Sequence, residues 1–256
     1  MTPLLETRGL SKTFGGLKAV QNVDLRIGAN RIVSVIGPNG AGKTTFFNCL
    51  SGIYRPDGGA ILLEGRDITG RAPHQVCKLG VSRTFQNIRL FPQMSVLANV
   101  LVAQFMHSSI SPLPLLFRSA RYREKEKRHR DEAFGFLDFV GLAQHAEAVS
   151  SNLAYGLQRR LEIARALATR PRLLLLDEPA AGMNPQEAVE MVQLISRIRD
   201  RGLAILLIEH HMKVVMAISD EILVLDHGVP IAHGAPEQVR NDPQVIKAYL
   251  GEEIHN

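Results

Sequence analysis

The sequence predicts an α/β fold built around a largely parallel sheet, and three observations predict it. Three short apolar runs rich in branched residues, Ile32 to Ile36, Leu173 to Leu176 and Ala204 to Ile208, read as strands buried on both faces. Each runs into a turn with polar or acidic residues and then a helical pattern, so polar groups collect at the carboxyl ends of the strands, where open α/β sheets bind ligands. The first run leads directly into Gly37-Pro38-Asn39-Gly40-Ala41-Gly42-Lys43-Thr44, a G-x-x-x-x-G-K-T pattern in the strand-to-helix context that a phosphate-binding loop needs.

The other elements follow along the chain. Leu4 to Arg8, Val23 to Ile27 and Ala60 to Leu63 alternate like half-exposed antiparallel strands. Between about Asn87 and Ala166 the strand signals stop and helical periodicity takes over, with Pro112 and Pro114 breaking Phe105 to Phe117 into an irregular connection. The reading is a helical insertion between two halves of one nucleotide-binding core. No internal repeat or low-complexity tract is evident.

Composition sets bounds on the function. At 256 residues and 45% hydrophobic content the chain can bury a substantial core, which argues against disorder. Cys49 and Cys77 stand in no metal-like spacing; they suit a reducing compartment and read as small buried apolar residues. The N-terminus lacks a basic segment followed by an apolar one, and no run of about 18 apolar residues occurs, so neither export nor a membrane span is expected. The net charge of +5 owes much to Arg118 to Arg130, with seven Lys or Arg against two Glu. A solvated helix face is the first reading of that stretch, ahead of membrane headgroups or nucleic acid.

The candidate site residues divide by chemistry. Glycines 37, 40 and 42 allow a tight turn with backbone N–H groups aimed inward, and the next helix adds its positive dipole end, so Gly37 to Thr45 form a cradle for polyphosphate. Lys43 is expected on the β and γ phosphates and the Thr44 hydroxyl on Mg²⁺. Leu173-Leu-Leu-Leu-Asp177-Glu178-Pro179 puts two carboxylates at the tip of a buried strand, where charge needs compensation. Asp177 is read as a Mg²⁺ ligand, directly or through water, and Glu178 as the base that polarises the attacking water. Ile205-Leu-Leu-Ile-Glu209-His210-His211 ends another buried strand; His210 is read as a sensor of the γ-phosphate and the water, His211 as structural. Gln86, where the core gives way to the insertion, either touches Mg²⁺ or water or is a surface amide.

Together, Gly37 to Thr44, Gln86, the segment from Leu153 to Leu167, Asp177 to Pro179 and His210 occur in the order and spacing of ABC transporter ATPase subunits, which the chain resembles over essentially its whole length. Arg83 to Phe91, Asp177 to Gly182 with Asn184-Pro185, Ile208-Glu-His210 with Met212, and the tail Gly234 to Val239 with Ala248 to Gly251 are similar to the ATPases of branched-chain amino acid importers. The resemblance implies a P-loop NTPase (RecA-like) core with a small antiparallel β subdomain and an inserted helical subdomain. In residues, 1–86 and 167–256 form the core and 87–166 the helical part. It further implies ATP and Mg²⁺ as cofactors, and Phe14 stacked on adenine. The expected partners are two transmembrane permease subunits, a second and related ATPase in a heterodimer and, indirectly, an extracytoplasmic substrate-binding protein. No nucleic acid is expected, and the place implied is peripheral, on the cytoplasmic face of the inner membrane.

The family signature is usually Leu-Ser-Gly-Gly-Gln, offered across a dimer to the γ-phosphate held by the partner. Here it reads Leu153-Ala154-Tyr155-Gly156-Leu157, so a hydroxyl and an amide are missing while Gly156 and the start of the following helix remain. Asn184 likewise replaces an aspartate often found after the Glu-Pro turn. A complete loop, base and switch beside a weakened signature imply two unequal sites in a heterodimer. Two other readings compete. A soluble ABC ATPase acting on ribosomes or nucleic acid usually carries two cassettes or a long coiled-coil insertion; a kinase or GTPase would lack the signature-like helix start, and no Asn-Lys-x-Asp follows.

Overall fold

Alternating apolar positions build the first sheet. β1 (Leu5–Phe14) pairs antiparallel with β2 (Leu17–Ile27), with Leu5 opposite Ile27 and Phe14 opposite Leu17. Both strands are longer than the alternation in the sequence predicts, because register shifts between Thr7 and Thr13 interrupt the period of two. β4 (Gly58–Leu63) pairs on the other side of β1, and the short β5 (Arg66–Asp67) closes the order β2-β1-β4-β5.

The second sheet holds the three runs read from the sequence. β3 (Ile32–Ile36), β7 (Leu173–Asp177) and β8 (Ala204–Ile208) are buried along their whole length. β8 lies parallel between the other two. Three further strands extend the sheet: β6 (Val81–Arg83) beside β7, β9 (Glu221–Asp226) beside β3, and β10 (Val229–Gly234) antiparallel at the edge, in the order β10-β9-β3-β8-β7-β6. Helix α1 (Lys43–Leu50) inserts Phe46, Phe47 and Leu50 among Leu10 and Leu25 of the first sheet and Val33, Leu206 and Leu223 of the second. Phe46 and Phe47 are fully buried, and each contributes about 1.5–3 kcal/mol by leaving water.

The computed structural model describes residues 2–107 and 120–253. The chain divides into two units, Met1–Arg83 with Arg172–Asn256, and Thr84–Pro171. The first contains both sheets, α1, α2 (Pro73–Lys78) and the helices after β7. Within the second, α3 (Val96–Gln104) packs against α4 (Ala120–Phe139) and α5 (Tyr155–Ala168). Ser95 starts α3 by accepting a hydrogen bond from Ala98 N at 3.1 Å. The irregular connection expected around Pro112 and Pro114 lies outside the described residues. Of the basic stretch, Arg123 to Arg128 are exposed on α4, the solvated face that was the first reading. Among the described residues no helix is long and apolar enough to cross a membrane.

Candidate nucleotide site

β3 delivers the phosphate loop, and its glycines answer to measurable constraints. Gly37 has φ +145°, and a Cβ there would lie 1.9 Å from Leu225 O; Gly42 has φ +94°, and a Cβ would lie 2.1 Å from Ala19 O. Any side chain at either position collides with backbone that cannot yield. Gly42 is also the left-handed N-cap of α1, with no side chain capping the helix. The first N–H groups of α1 are therefore left to whatever occupies the loop. Lys43 curls back so that Nζ donates to Gly37 O at 2.6 Å and Pro38 O at 2.7 Å, which puts its ammonium inside the loop formed by Pro38, Asn39, Gly40 and Ala41. Thr44 and Thr45 follow on the first turn of α1.

The acidic pair lies at the end of β7, in the same sheet. Asp177 is almost fully buried, and its charge is met by Arg83 at the end of β6, whose Nη2 donates to Oδ2 at 2.7 Å. Arg83 Nη1 donates to Asn48 Oδ1 at 2.6 Å and Ser51 Oγ at 3.1 Å, so one guanidinium ties the end of α1 to the strand-end carboxylate. The sequence reading placed Arg83 only in a family motif; its partner is 94 residues away, a distance no local pattern signals. Glu178 sits in the left-handed region at φ +48°, which costs a non-glycine residue about 1–3 kcal/mol, and its N–H donates to Ile208 O at 2.9 Å. That turn aims its carboxylate at the end of β8, where His210 Nδ1 lies 3.7 Å from Glu178 Oε1. His211 starts α7 (Met212–Ile218), and its ring Nδ1 lies 3.0 Å from Glu209 Oε1.

Phe14 stands at the end of β1 with 40% of its surface exposed, edge-on to Tyr54 at 5.2 Å, with Lys12 Nζ 5.2 Å from its ring centroid. Lys12 is in turn held by Asp57 at 2.8 Å, and that contact together with the Thr13 N–H keeps the Asp57 carboxyl below the usual carboxylate range. An exposed ring with a cation beside it suits a stacked aromatic base. Of the two cysteines expected to be buried, Cys49 is, and desolvation pushes its thiol up to about 11, whereas Cys77 is only partly buried, with its Sγ 3.5 Å from Ser82 Oγ.

In the second unit, the signature-like segment starts α5. Ala154 is its N-cap and supplies no side-chain hydrogen bond; Leu153 and Gly156 are buried, and Tyr155 is 44% exposed. Gln158 Nε2 donates back to Leu153 O at 2.8 Å. Arg159, read from the sequence only as part of the signature helix, is 3% exposed and organises the unit's functional edge. It donates to Phe85 O at 2.6 Å, to the backbone oxygen of Gln86, to Tyr155 OH at 2.9 Å and to Glu162 Oε2 at 3.1 Å. Gln86 is thus fixed by its backbone while its side chain is exposed. Glu162 also accepts from Arg89 N at 2.7 Å; burial pushes its carboxyl up, against that N–H and the Arg159 and Arg165 guanidiniums. Asn184, the residue that departs from the family's aspartate, is the N-cap of α6 (Pro185–Asp200), where it accepts from Glu187 N at 2.9 Å in a capping box.

A loop built for phosphate, two strand-end carboxylates and a histidine beside the second one describe a nucleotide hydrolase, and comparison with known proteins names the kind. The family model for the ABC transporter matches residues 20–181, more than half of the chain. The chain belongs to the ABC transporter family. A second model, the branched-chain amino acid ATP-binding cassette transporter, matches residues 229–255. This ABC ATPase is 51% identical over 251 residues to the high-affinity branched-chain amino acid transport ATP-binding protein BraF of Pseudomonas aeruginosa, covering 98% of each chain. It matches LivG of Escherichia coli K12, of the same description, equally well at 51% and 98%. A probable LivG of Methanocaldococcus jannaschii is 33% identical over 97% of this chain and 98% of its own. Among solved structures, the ADP conformation of an ATP-binding cassette of an ABC transporter superposes with a TM-score of 0.86 at 32% identity, covering 98% of this chain and all of that one. A nucleotide-free cassette superposes at 0.84 with 31% identity, covering 96% and 98%.

Proposed function

We propose that this ABC ATPase hydrolyses Mg²⁺-ATP to drive import of branched-chain amino acids through two permease subunits, working with a second, related ATPase and fed by an extracytoplasmic binding protein. The observation that carries the reading is the approach of His210 Nδ1 to Glu178 Oε1, 3.7 Å, at the ends of two adjacent strands, β8 and β7, the first of which pairs with the strand that carries Gly37 to Thr44. The 51% identity to importer ATPases over 98% of the chain supports the substrate class.

Each residue takes a role from its position. The loop N–H groups and the α1 N-terminus hold the phosphates, and Lys43 exchanges its two carbonyl partners for phosphate oxygens. Phe14 stacks on the adenine. Mg²⁺ suits the oxygen donors Thr44 Oγ1 and Asp177, and when bound it would neutralise charge on the β and γ phosphates. Glu178 takes a proton from the attacking water as its oxygen bonds the γ-phosphorus and the β-phosphate oxygen departs. His210 hydrogen-bonds the γ-phosphate and, through Glu178, registers its loss. Leu153 to Gly156 offer backbone N–H groups and a helix N-terminus to the partner's nucleotide; ATP then bridges two subunits and favours their closure. The site lies on the cytoplasmic face of the inner membrane, reached through the permeases.

The test is uptake of labelled leucine, isoleucine and valine by vesicles containing the whole assembly. ATP-dependent uptake that is lost with Glu178→Gln supports the reading. Copurification of ribosomes or nucleic acid, with no membrane partner, would refute it.

A further inference from the structure

We propose that Glu209, His210 and His211 form a site for a transition-metal dication of the zinc class, and that its occupation blocks ATP hydrolysis. The three side chains offer one carboxylate oxygen and two imidazole nitrogens, all within 4.8 Å of one another. Glu209 Oε1 lies 3.0 Å from His211 Nδ1 and 3.5 Å from His210 Nδ1. Ligands bound tetrahedrally at about 2.0–2.1 Å sit roughly 3.3 Å apart, so an ion fits with small side-chain adjustments. The two rings pack at 4.1 Å between centroids, and their side chains are 52% and 51% exposed, which gives an ion a path in from solvent.

A second observation points to a cation. Glu209 is fully buried; Oε1 accepts the N–H groups of His210 at 3.0 Å and His211 at 3.2 Å, whereas Oε2 is buried without a hydrogen-bond partner among the described residues. A buried carboxylate oxygen left without a donor costs free energy that an ion can recover. The backbone N–H groups also orient the carboxylate as a supporting shell does in metal sites. Glu178, 3.7 Å from His210, brings the local charge of the carboxylates to that of a dication's complement. Two imidazoles and a carboxylate suit Zn²⁺, Co²⁺ or Ni²⁺ rather than Mg²⁺. On binding, each histidine takes the tautomer with its ring proton on Nε2, the Nδ1 proton passing to water, and gives its Nδ1 lone pair to the ion, and the fourth position falls to water. His210 is then withdrawn from Glu178, so hydrolysis stops.

The inhibitory consequence rests on the roles given to His210 and Glu178 above; the binding does not. Co²⁺ is therefore titrated into nucleotide-free protein, following the visible absorption of four-coordinate cobalt, and Zn²⁺ inhibition of the Mg²⁺-ATPase is measured separately, each variant against its own zinc-free rate. One Co²⁺ per chain is expected, displaced by Zn²⁺ and lost in His211→Gln. The same variant should raise the Zn²⁺ concentration for half-inhibition at least tenfold. Glu209→Gln should also abolish the cobalt spectrum, and a folded His211→Gln keeps the test decisive if Glu209→Gln does not fold. A cobalt spectrum unchanged in His211→Gln, or none at all, would overturn the site. Equal zinc sensitivity in both proteins would overturn the inhibition and leave replacement of Mg²⁺ at the nucleotide as its cause.

Discussion

Two buried ion pairs, Arg83 with Asp177 and Arg159 with Glu162, do opposite kinds of work in the two units. The first sits at the ends of parallel strands, where a guanidinium holds a carboxylate and ties it to the end of the helix that follows the phosphate loop. The second lies within one helix turn and uses its arginine to fasten the backbone of Phe85 and Gln86 to a signature segment from which the usual polar side chains have gone. One unit keeps its chemistry in side chains at strand ends. The other keeps its shape through a side chain and presents mostly backbone and a helix end in its signature-like segment. Under the proposed function, loss of the signature's contacts burdens the nucleotide bound by the partner, while the nucleotide bound here keeps its own catalytic set.

Breaking each pair should separate the two roles. Arg83→Met leaves Asp177 buried and uncompensated, so stability in a denaturant titration should fall by about 3–5 kcal/mol. The Mg²⁺ concentration for half-maximal activity should rise with it. Arg159→Met should cost a similar amount, because Glu162 and two carbonyls lose their donor, but should leave the Mg²⁺ dependence unchanged. An equal Mg²⁺ shift in both variants would erase the distinction. Gly42→Ala, at φ +94° against the Ala19 carbonyl, should weaken nucleotide binding at least tenfold by calorimetry while the helices of the second unit keep their stability.

Smaller changes sharpen the contrast. Ala154→Ser restores a hydroxyl at an N-cap without one and should stabilise α5 by about 0.5–1 kcal/mol in thermal unfolding. It should also speed turnover at the partner's nucleotide, not at the one bound here. The least effect is expected from Asp57→Asn. The Asp57 carboxyl is held below its ordinary value by Lys12, so its contribution is present above pH 3.8 and is lost as pH falls through the lower folded value. The variant should differ from the parent above that window and converge with it in acid, read by urea unfolding across pH.

Legibility in the sequence followed burial and range. β3, β7 and β8 were readable because strands covered on both faces are apolar throughout. β6 has three residues and gives no period, and β10 is a partly exposed edge strand with Pro230 in it; neither was read. That Gly37 to Thr44, Asp177, Glu178 and His210 stand at strand ends was legible because β3, β7 and β8 are almost wholly apolar. Arg83 and Arg159 were not given their tasks, since each acts on residues more than 70 positions away and arginines on amphipathic elements ordinarily face water. Glu209 was invisible for another reason: between an apolar strand and two histidines it looked like a turn residue, yet it is fully buried.

The most direct measurement is ATP turnover by the assembled pair of ATPases inside the complete transporter, with Glu178→Gln introduced here and the equivalent change introduced separately in the partner. The asymmetry derived from Ala154, Leu157 and the intact loop predicts that Glu178→Gln removes most of the hydrolysis, by about 10²-fold or more, and that the partner change removes less. A chain whose Glu178→Gln variant barely slows turnover while the partner's change abolishes it would contradict the account.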